Sequence, residues 1–239
     1  MFPHLHLQIR KQLLEEITVG IYAEATILPS ENKLCERLGV SRSTIRHSVT
    51  SLEQEGYLRR RQGIGTEIDR NVCSMKGRID LNDEFSEFLS QLGYKPERKY
   101  IDSKLGVADK YLADALKIAQ GDPVISITKI WLVNGKPAIW CTDTFSTSLF
   151  HKPYRSEDLE NDIFSFLQSF CKQEIYYQIA TIEVKRLGAE IAPFIQLPAD
   201  EPVIYSFSIA CNPNGIPILA SKEVYVPEFV SFTVLRKKI

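Results

Sequence analysis

Two guanidinium groups four residues apart, Arg42 and Arg46, are the first candidates for chemistry in this chain. They stand in the run Val40-Ser41-Arg42-Ser43-Thr44-Ile45-Arg46-His47-Ser48-Val49. Residues at i and i+4 project from the same side of a helix, and Ser41 is a good N-cap for one beginning at Arg42. Ile45, Val49 and Leu52 recur at i, i+4 and i+7, which marks the buried face. The opposite face shows Arg42, Ser43, Arg46, His47 and Thr50. A capped helix start offers free N–H groups and the positive end of the dipole, so it can hold a phosphate or carry side chains to base edges. An ordinary amphipathic helix with a solvated cationic face is the competing reading of the same residues.

Other reactive combinations are missing from the sequence. There is no Gly-x-Ser-x-Gly, no His-Glu-x-x-His, no Walker loop and no paired-carboxylate motif. Gly63-x-Gly65 is too short for a dinucleotide fingerprint. His4, His6, His47 and His151 lack partners at ligand spacing, and the five cysteines (35, 73, 141, 171 and 211) contain no Cys-x-x-Cys pair. No catalytic residue, metal or cofactor is therefore expected. The scattered, odd number of thiols suits a reducing cytoplasm, and neither a leader pattern nor a long apolar run is legible.

The flanks supply the elements that would position the arginines. Ile27-Leu28-Pro29-Ser30-Glu31-Asn32-Lys33-Leu34 followed by Leu38 reads as a helix capped by Ser30, and Gly39 suits its end. After Leu52, a glycine ends the second helix, and two short strand-like runs flank a tip containing Gly63 and Gly65. Residues 4–19 read as a further helix with Ile9, Leu13 and Ile17 on one face. Three helices and a hairpin make a winged helix-turn-helix. The net charge of the chain is −1, yet the segment 41–66 holds Arg42, Arg46, Arg59, Arg60 and Arg61 against Glu53 and Glu55. Basic charge is thus focused on the surface proposed for contact.

The motifs Leu28-Pro29-Ser30-Glu31-Asn32-Lys33-Leu34, Val40 to Arg46, Leu52 to Leu58 and Gln62-Gly63-Ile64-Gly65-Thr66 resemble the DNA-binding domain of GntR-type transcription regulators over residues 5–69. The resemblance implies that the 42–55 helix enters the major groove and that the wing tip reaches the adjacent minor groove. It assigns contact with double-stranded operator DNA to Asn32, Lys33, Ser41, Arg42, Ser43, Thr44, Arg46, Gln62, Gly63 and Gly65.

Residues 70–78 read as a polar, aperiodic linker, and the remainder (79–239) as a second domain. Phe85, Phe88, Leu89 and Leu92 lie at helical spacing, as do Ile163, Phe166, Leu167 and Phe170 in a helix over 159–170. An internal repeat follows. Pro123-Val124-Ile125 leads to Asn134-Gly135-Lys136-Pro137, and Pro202-Val203-Ile204 leads to Asn214-Gly215-Ile216-Pro217. Each copy reads as strand, Asn-Gly turn, strand. A short helical pattern precedes each (109–118 and 189–197), and a further strand covers 177–186. The class is α+β, a mostly antiparallel sheet with helices beside it.

This half resembles the UTRA effector-binding domain of the HutC subgroup of GntR regulators. That resemblance implies a chorismate-lyase-like fold, a small-molecule effector and a homodimer. It places the effector against Glu84, Lys129, Trp131, Cys141, Asp143, Asp162 and Tyr225. Members that sense phosphosugars carry an Arg-x-Arg pair where this chain has Lys129 and Trp131, and a glutamate where it has Cys141. A second glutamate is replaced by Leu219, an arginine by Val226, and anion-binding serines by Glu84 and Asp162. Carboxylates facing one phosphate repel it, so an aromatic, neutral or amine-bearing effector is expected. Trp131 and Cys141 as plain core, with Glu84 and Asp162 as solvated surface, is the alternative. The expected function is a ligand-responsive transcription regulator, a repressor by family habit. The alternatives are an activator, a lyase-like enzyme fused to a DNA-binding domain, and an architectural DNA-binding protein without a sensor.

Overall fold

The apolar stripe of Ile45, Val49 and Leu52 is fully buried in the computed structural model, which describes residues 5–81 and 84–237. It lies on α3 (Arg42–Gln54). It packs with Ile9, Leu13 and Ile17 of α1 (Leu5–Thr18) and Leu34 of α2 (Glu31–Leu38). The expected helix began at His4, which lies outside the described residues. Ser30 accepts the Lys33 amide and starts α2; Gly39 ends it at φ 66°. Ser41 accepts the Thr44 amide at 3.2 Å and starts α3. Strands β1 (Ile27–Leu28), β2 (Leu58–Arg61) and β3 (Gly65–Ile68) form a small antiparallel sheet in the order β1-β3-β2. Buried Leu28, Leu58 and Ile68 join it to the helices.

The segment expected as a linker opens with a helical turn. Asp69 caps α4 (Arg70–Cys73) by accepting the Asn71 and Val72 amides. Val72 is buried in the same core, and Arg70 donates to the carbonyls of Ile17 and Ala23. A single helical turn is too short to show a period, so its sequence looks aperiodic. The chain divides after Leu81, and residues from Thr233 onward belong with the first unit rather than the second. The sequence reading drew its divisions at 69/70 and 78/79 instead.

In the second unit, six strands among the described residues pair antiparallel in the order β4-β5-β6-β9-β8-β7. These are β4 (Pro96–Val107), β5 (Pro123–Val133), β6 (Lys136–Ser146), β7 (Tyr177–Arg186), β8 (Pro202–Cys211) and β9 (Pro217–Tyr225). The repeat is larger than the sequence suggested. Each half is an outer strand, a short helix and a hairpin, and the two halves meet where β6 pairs with β9. The β4 strand, the counterpart of the expected 177–186 strand, was not anticipated. Its residues are exposed or half-buried throughout, with charged residues interleaved, and so it carries little apolar signal. The first hairpin has the expected two-residue turn, with Asn134 and Gly135 at φ 54° and 77°. The second pairs Cys211 with Pro217, and Asn212 accepts the Asn214 and Ile216 amides, so its loop is wider than an Asn-Gly turn.

The helical patterns shorten on folding. They become α5 (Phe85–Gln91), α6 (Lys110–Leu116), α7 (Ile163–Cys171) and α8 (Ala192–Ile195). The start of the 159–170 pattern belongs to a 3-10 turn, Ser156–Glu160. α5 and α7 cover opposite ends of one sheet face with separate apolar clusters. One holds Phe88, Leu89, Trp131 and Ile139; the other holds Ile125, Phe145, Phe166 and Leu167.

Candidate nucleic-acid interface and effector site

In the first unit, one concave surface is lined by Ser30, Glu31 and Asn32 at the start of α2, Arg42 and Arg46 of α3, and Arg60, Arg61, Gln62, Gly65 and Thr66 of the hairpin. Of the expected residues, Asn32, Arg42, Arg46, Gln62 and Gly65 fall here. Ser41, Ser43 and Thr44 form a hydroxyl cluster at the capped end of α3, with oxygens 2.8 Å apart. Lys33 is exposed on α2, and Gly63 stands at the hairpin tip with φ 80°.

Charge pairing separates the arginines into two sets. Arg60 donates to Glu53 at 2.6 Å and to Thr50 at 3.0 Å, which braces the hairpin against α3. Arg61 pairs with Glu67 at 2.8 Å. Arg42 reaches Glu31 at 3.3 Å, with 71% of its side chain exposed. Arg46 is exposed and makes no ion pair among the described residues. Exposed pairs of this kind hold by little, so Arg42 and Arg46 are free to meet an anion. Ser30, Glu31, Arg60, Arg61 and Thr66 line the same surface without having been assigned a DNA contact from the sequence. Arg60 pairs with Thr66 across the hairpin, which places them on the same face as each other.

In the second unit, the sheet face between the two apolar clusters is polar and buried. Strand register sets Lys129, Cys141, Glu223 and Ser206 in one row across β5, β6, β9 and β8. Asp143, Ser221 and Ser208 form the next row. Ser221 donates to Asp143 at 2.5 Å, and Cys141 lies 3.5 Å from the same carboxylate oxygen. Ser208 and Tyr225 donate to Glu223 at 2.9 and 2.7 Å. Lys129, 2% exposed, donates to the Asn161 carbonyl. Trp131 donates to Ser86 at 3.1 Å, and Phe85 meets its ring edge-on at 4.8 Å. Burial pushes the Asp143 and Glu223 carboxyls above their usual range and lowers the Lys129 ammonium.

The seven expected effector residues do not all share one environment. Lys129, Cys141, Asp143 and Tyr225 gather in the polar cluster. Trp131 borders it from the apolar cluster beneath α5. Glu84 is the N-cap of α5, accepting the Ser86 amide at 2.7 Å with Arg98 at 3.4 Å. Asp162 is the N-cap of α7, accepting the Ser165 amide at 2.8 Å. Neither acid is merely solvated surface, since each satisfies the first turn of a helix. Glu223, Ser206, Ser208 and Ser221 were missed. Glu223 is two residues from Tyr225 and so in phase with it, which is the signal that was available. Among the described residues no cluster of metal-ligating side chains occurs, and no helix is long and apolar enough to cross a membrane.

A winged helix-turn-helix with exposed arginines on its capped helix, joined to a sheet with a buried polar cluster, defines a DNA-binding regulator with a sensor. Residues 5–68 match the bacterial regulatory proteins of the gntR family, and residues 91–230 match the UTRA domain. The chain belongs to the GntR family of transcription regulators, in the branch that carries a UTRA domain. The HTH-type transcriptional regulator YurK of Bacillus subtilis is 30% identical over 151 residues, 61% of this chain and 60% of YurK. The HTH-type transcriptional repressor NagR of the same organism is 24% identical over 221 residues, 92% of this chain and 90% of NagR. The crystal structure of the possible transcriptional regulator YydK from Bacillus subtilis shares the fold, with a TM-score of 0.73, 22% identity, and coverage of 98% of this chain and 99% of that one. These relatives are transcription regulators rather than enzymes, and the two domains have established roles. The first binds DNA and the second binds small-molecule effectors.

Proposed function

We propose that the chain is a cytoplasmic repressor that holds operator DNA as a homodimer and is released by a small effector lacking a phosphate. The observation that carries the DNA contact is the pair Arg42 and Arg46, exposed at the capped end of α3. α3 enters the major groove, Ser41, Ser43 and Thr44 approach phosphates, and the β2–β3 tip reaches the minor groove. Gly63 has φ 80° and no neighbour within 4 Å of an added Cβ, so its constraint is backbone conformation and not space. Gly63→Val puts a β-branched residue where only glycine sits without strain, a cost of about 1–3 kcal/mol that reshapes the tip. Operator affinity, read by fluorescence anisotropy, should fall at least tenfold while assembly is unchanged; parental affinity would remove the wing from DNA.

The effector reading rests on charge. The buried cluster has two carboxylates, Asp143 and Glu223, for one amine, Lys129. Glu84 and Asp162 occupy the helix starts where an anion would otherwise sit. A phosphate would enter against four acids, whereas an amine-bearing or neutral polar compound finds acceptors, with Trp131 as an apolar wall. A thermal-shift screen pairing amines and amino sugars with their phosphorylated counterparts tests this. Preferential stabilisation by the phosphorylated set would refute it.

The dimer is assigned to β7. This outer strand exposes Ile179, Ile182 and Val184 by 63%, 44% and 75%, and its pairing with β8 contains no bulge. The opposite edge, β4, begins at a proline and has a bulge between Tyr100 and Asp102, which are devices that discourage edge pairing. A two-fold axis through Val184 sets Glu183 of each copy opposite Lys185 of the other. Val184→Asp should sediment as a monomer at concentrations where the parent and a Leu105→Asp control on β4 remain dimers. A dimeric Val184→Asp chain would move the interface elsewhere.

A further inference from the structure

After Phe232 the chain returns to the DNA-binding unit and runs beside the segment leaving that unit. Thr233 donates to the Gly77 carbonyl at 2.8 Å and accepts from the Ile79 amide at 3.1 Å, forming a parallel bridge opposite Arg78. Arg78 itself is buried, pairs with Asp80 and lies over the Tyr57 ring at 5.0 Å. Residues then alternate, with Val234 and Arg236 outward and Leu235 packed on the helical core. The fit at Leu235 is close: a Cβ on Gly56, whose φ is 91°, would stand 2.5 Å from its Cδ2 atom.

Lys237 completes the contact. Its ammonium donates to the Glu53 and Gln54 carbonyls at 3.3 and 2.7 Å. These carbonyls end α3, which has no basic residue in its own last turn. Carbonyls at a helix C-terminus need outside donors and carry the negative end of the dipole, so a cation there is stabilising. The cation comes from the far end of the chain. In the sensor, the residue before the strap, Phe232, meets Tyr225 edge-on at 4.8 Å, and Tyr225 donates to Glu223 of the polar cluster.

We propose that residues 233–237 are a strap that positions the C-terminal end of the recognition helix, and that it carries the state of the polar cluster to that helix. Leu235 and Lys237 are positioning residues and touch no DNA. The proposal rests on the reading that α3 enters the groove. A rearrangement at Glu223 and Tyr225 shifts Phe232, and the peptide that follows is already pinned to α3. The units are therefore joined by two crossings, at 81–82 and 232–233, and the second ends on the element that reads DNA. An effector acts through this route only to the extent that it binds one arrangement better than the other.

The test uses a duplex recovered by the full chain from a random-sequence pool, with hydrogen exchange as a second readout. Lys237→Met should weaken binding about threefold and deprotect the amides of Glu55, Gly56 and Tyr57 in the DNA-free chain; Lys237→Arg should restore both. A full-length Leu235→Ala/Lys237→Met chain should bind at least tenfold more weakly at a temperature where, by its own melting curve, it is still fully folded. Duplex binding to the parent should alter exchange in β9 and at Phe232, and this response should vanish in the double variant. Parental affinity with a persisting β9 response overturns the strap, as does an affinity loss that only follows a lowered midpoint. If the parent recovers no duplex, the DNA-contact reading fails. The exchange at residues 55–57 still decides whether Lys237 holds the helix end.

Discussion

A chain carrying both Arg42→Ala and Arg46→Ala is expected to lose about 2–6 kcal/mol of operator binding, the sum of about 1–3 kcal/mol for each base-reading arginine. Both side chains are exposed, so their removal opens no cavity. Arg42 gives up only an exposed pair with Glu31, and Arg46 gives up no ion pair among the described residues. The melting midpoint of the first unit should therefore stay close to that of the parent. Salt dependence separates the two roles within the pair. An arginine that neutralises a phosphate reduces the slope of log affinity against log salt by about one, whereas a base reader relaxes sequence preference at one position. Anisotropy titrations at several salt concentrations read both. A double variant that binds like the parent would show that α3 does not face DNA.

The second large effect is one of stability. Lys129→Met should destabilise the sensor by about 3–5 kcal/mol, because it leaves the buried Asp143 without its nearby cation. The sign with pH follows from the direction of the Asp143 shift. Burial holds its folded pKa above the unfolded value, so the folded state binds the proton more tightly and stability declines as pH rises through that interval. Losing Lys129 removes an opposing influence and raises the carboxyl further. The deficit should therefore shrink on acidification, and Lys129→Met/Asp143→Asn should recover most of it at neutral pH. Thermal melting against pH reads all of this. A Lys129→Met chain with parental stability at neutral pH would mean that Asp143 is already protonated, and that the cluster carries less negative charge than the effector argument uses.

The DNA-binding unit was more legible than the sensor, for physical reasons. Ser30, Gly39, Ser41 and the 45/49/52 stripe are local signals, each read within one or two turns of chain. Their caps and burial agree with the expectation. The hairpin at Gly63 and Gly65 is local in the same sense. Two features of that unit were not local. Val72 belongs to a single turn without periodicity, and the 233–237 strap is separated from its partners on α3 by about 180 residues. In the sensor, the repeated hairpins identified the inner strands, but β4 is an outer strand with interleaved charges and lacks a repeated motif. Cys141 and Lys129 stand opposite each other in the buried polar cluster. Glu223 was hidden because its importance comes from register across β6 and β9, which pairs it with Cys141. Glu84 and Asp162 took on meaning only once α5 and α7 were seen to begin at them.

The central claim is that this chain reads a specific duplex through α3 and the wing, in two copies related by a two-fold axis. Selection from a random-sequence DNA pool, followed by footprinting of the recovered sequence at physiological salt, tests it most directly. The account predicts enrichment of an inverted repeat with half-sites about one helical turn apart, protected in the major groove at each half, and lost for Arg42→Ala/Arg46→Ala. Recovery of no common sequence, or equal enrichment by the double variant, would contradict it.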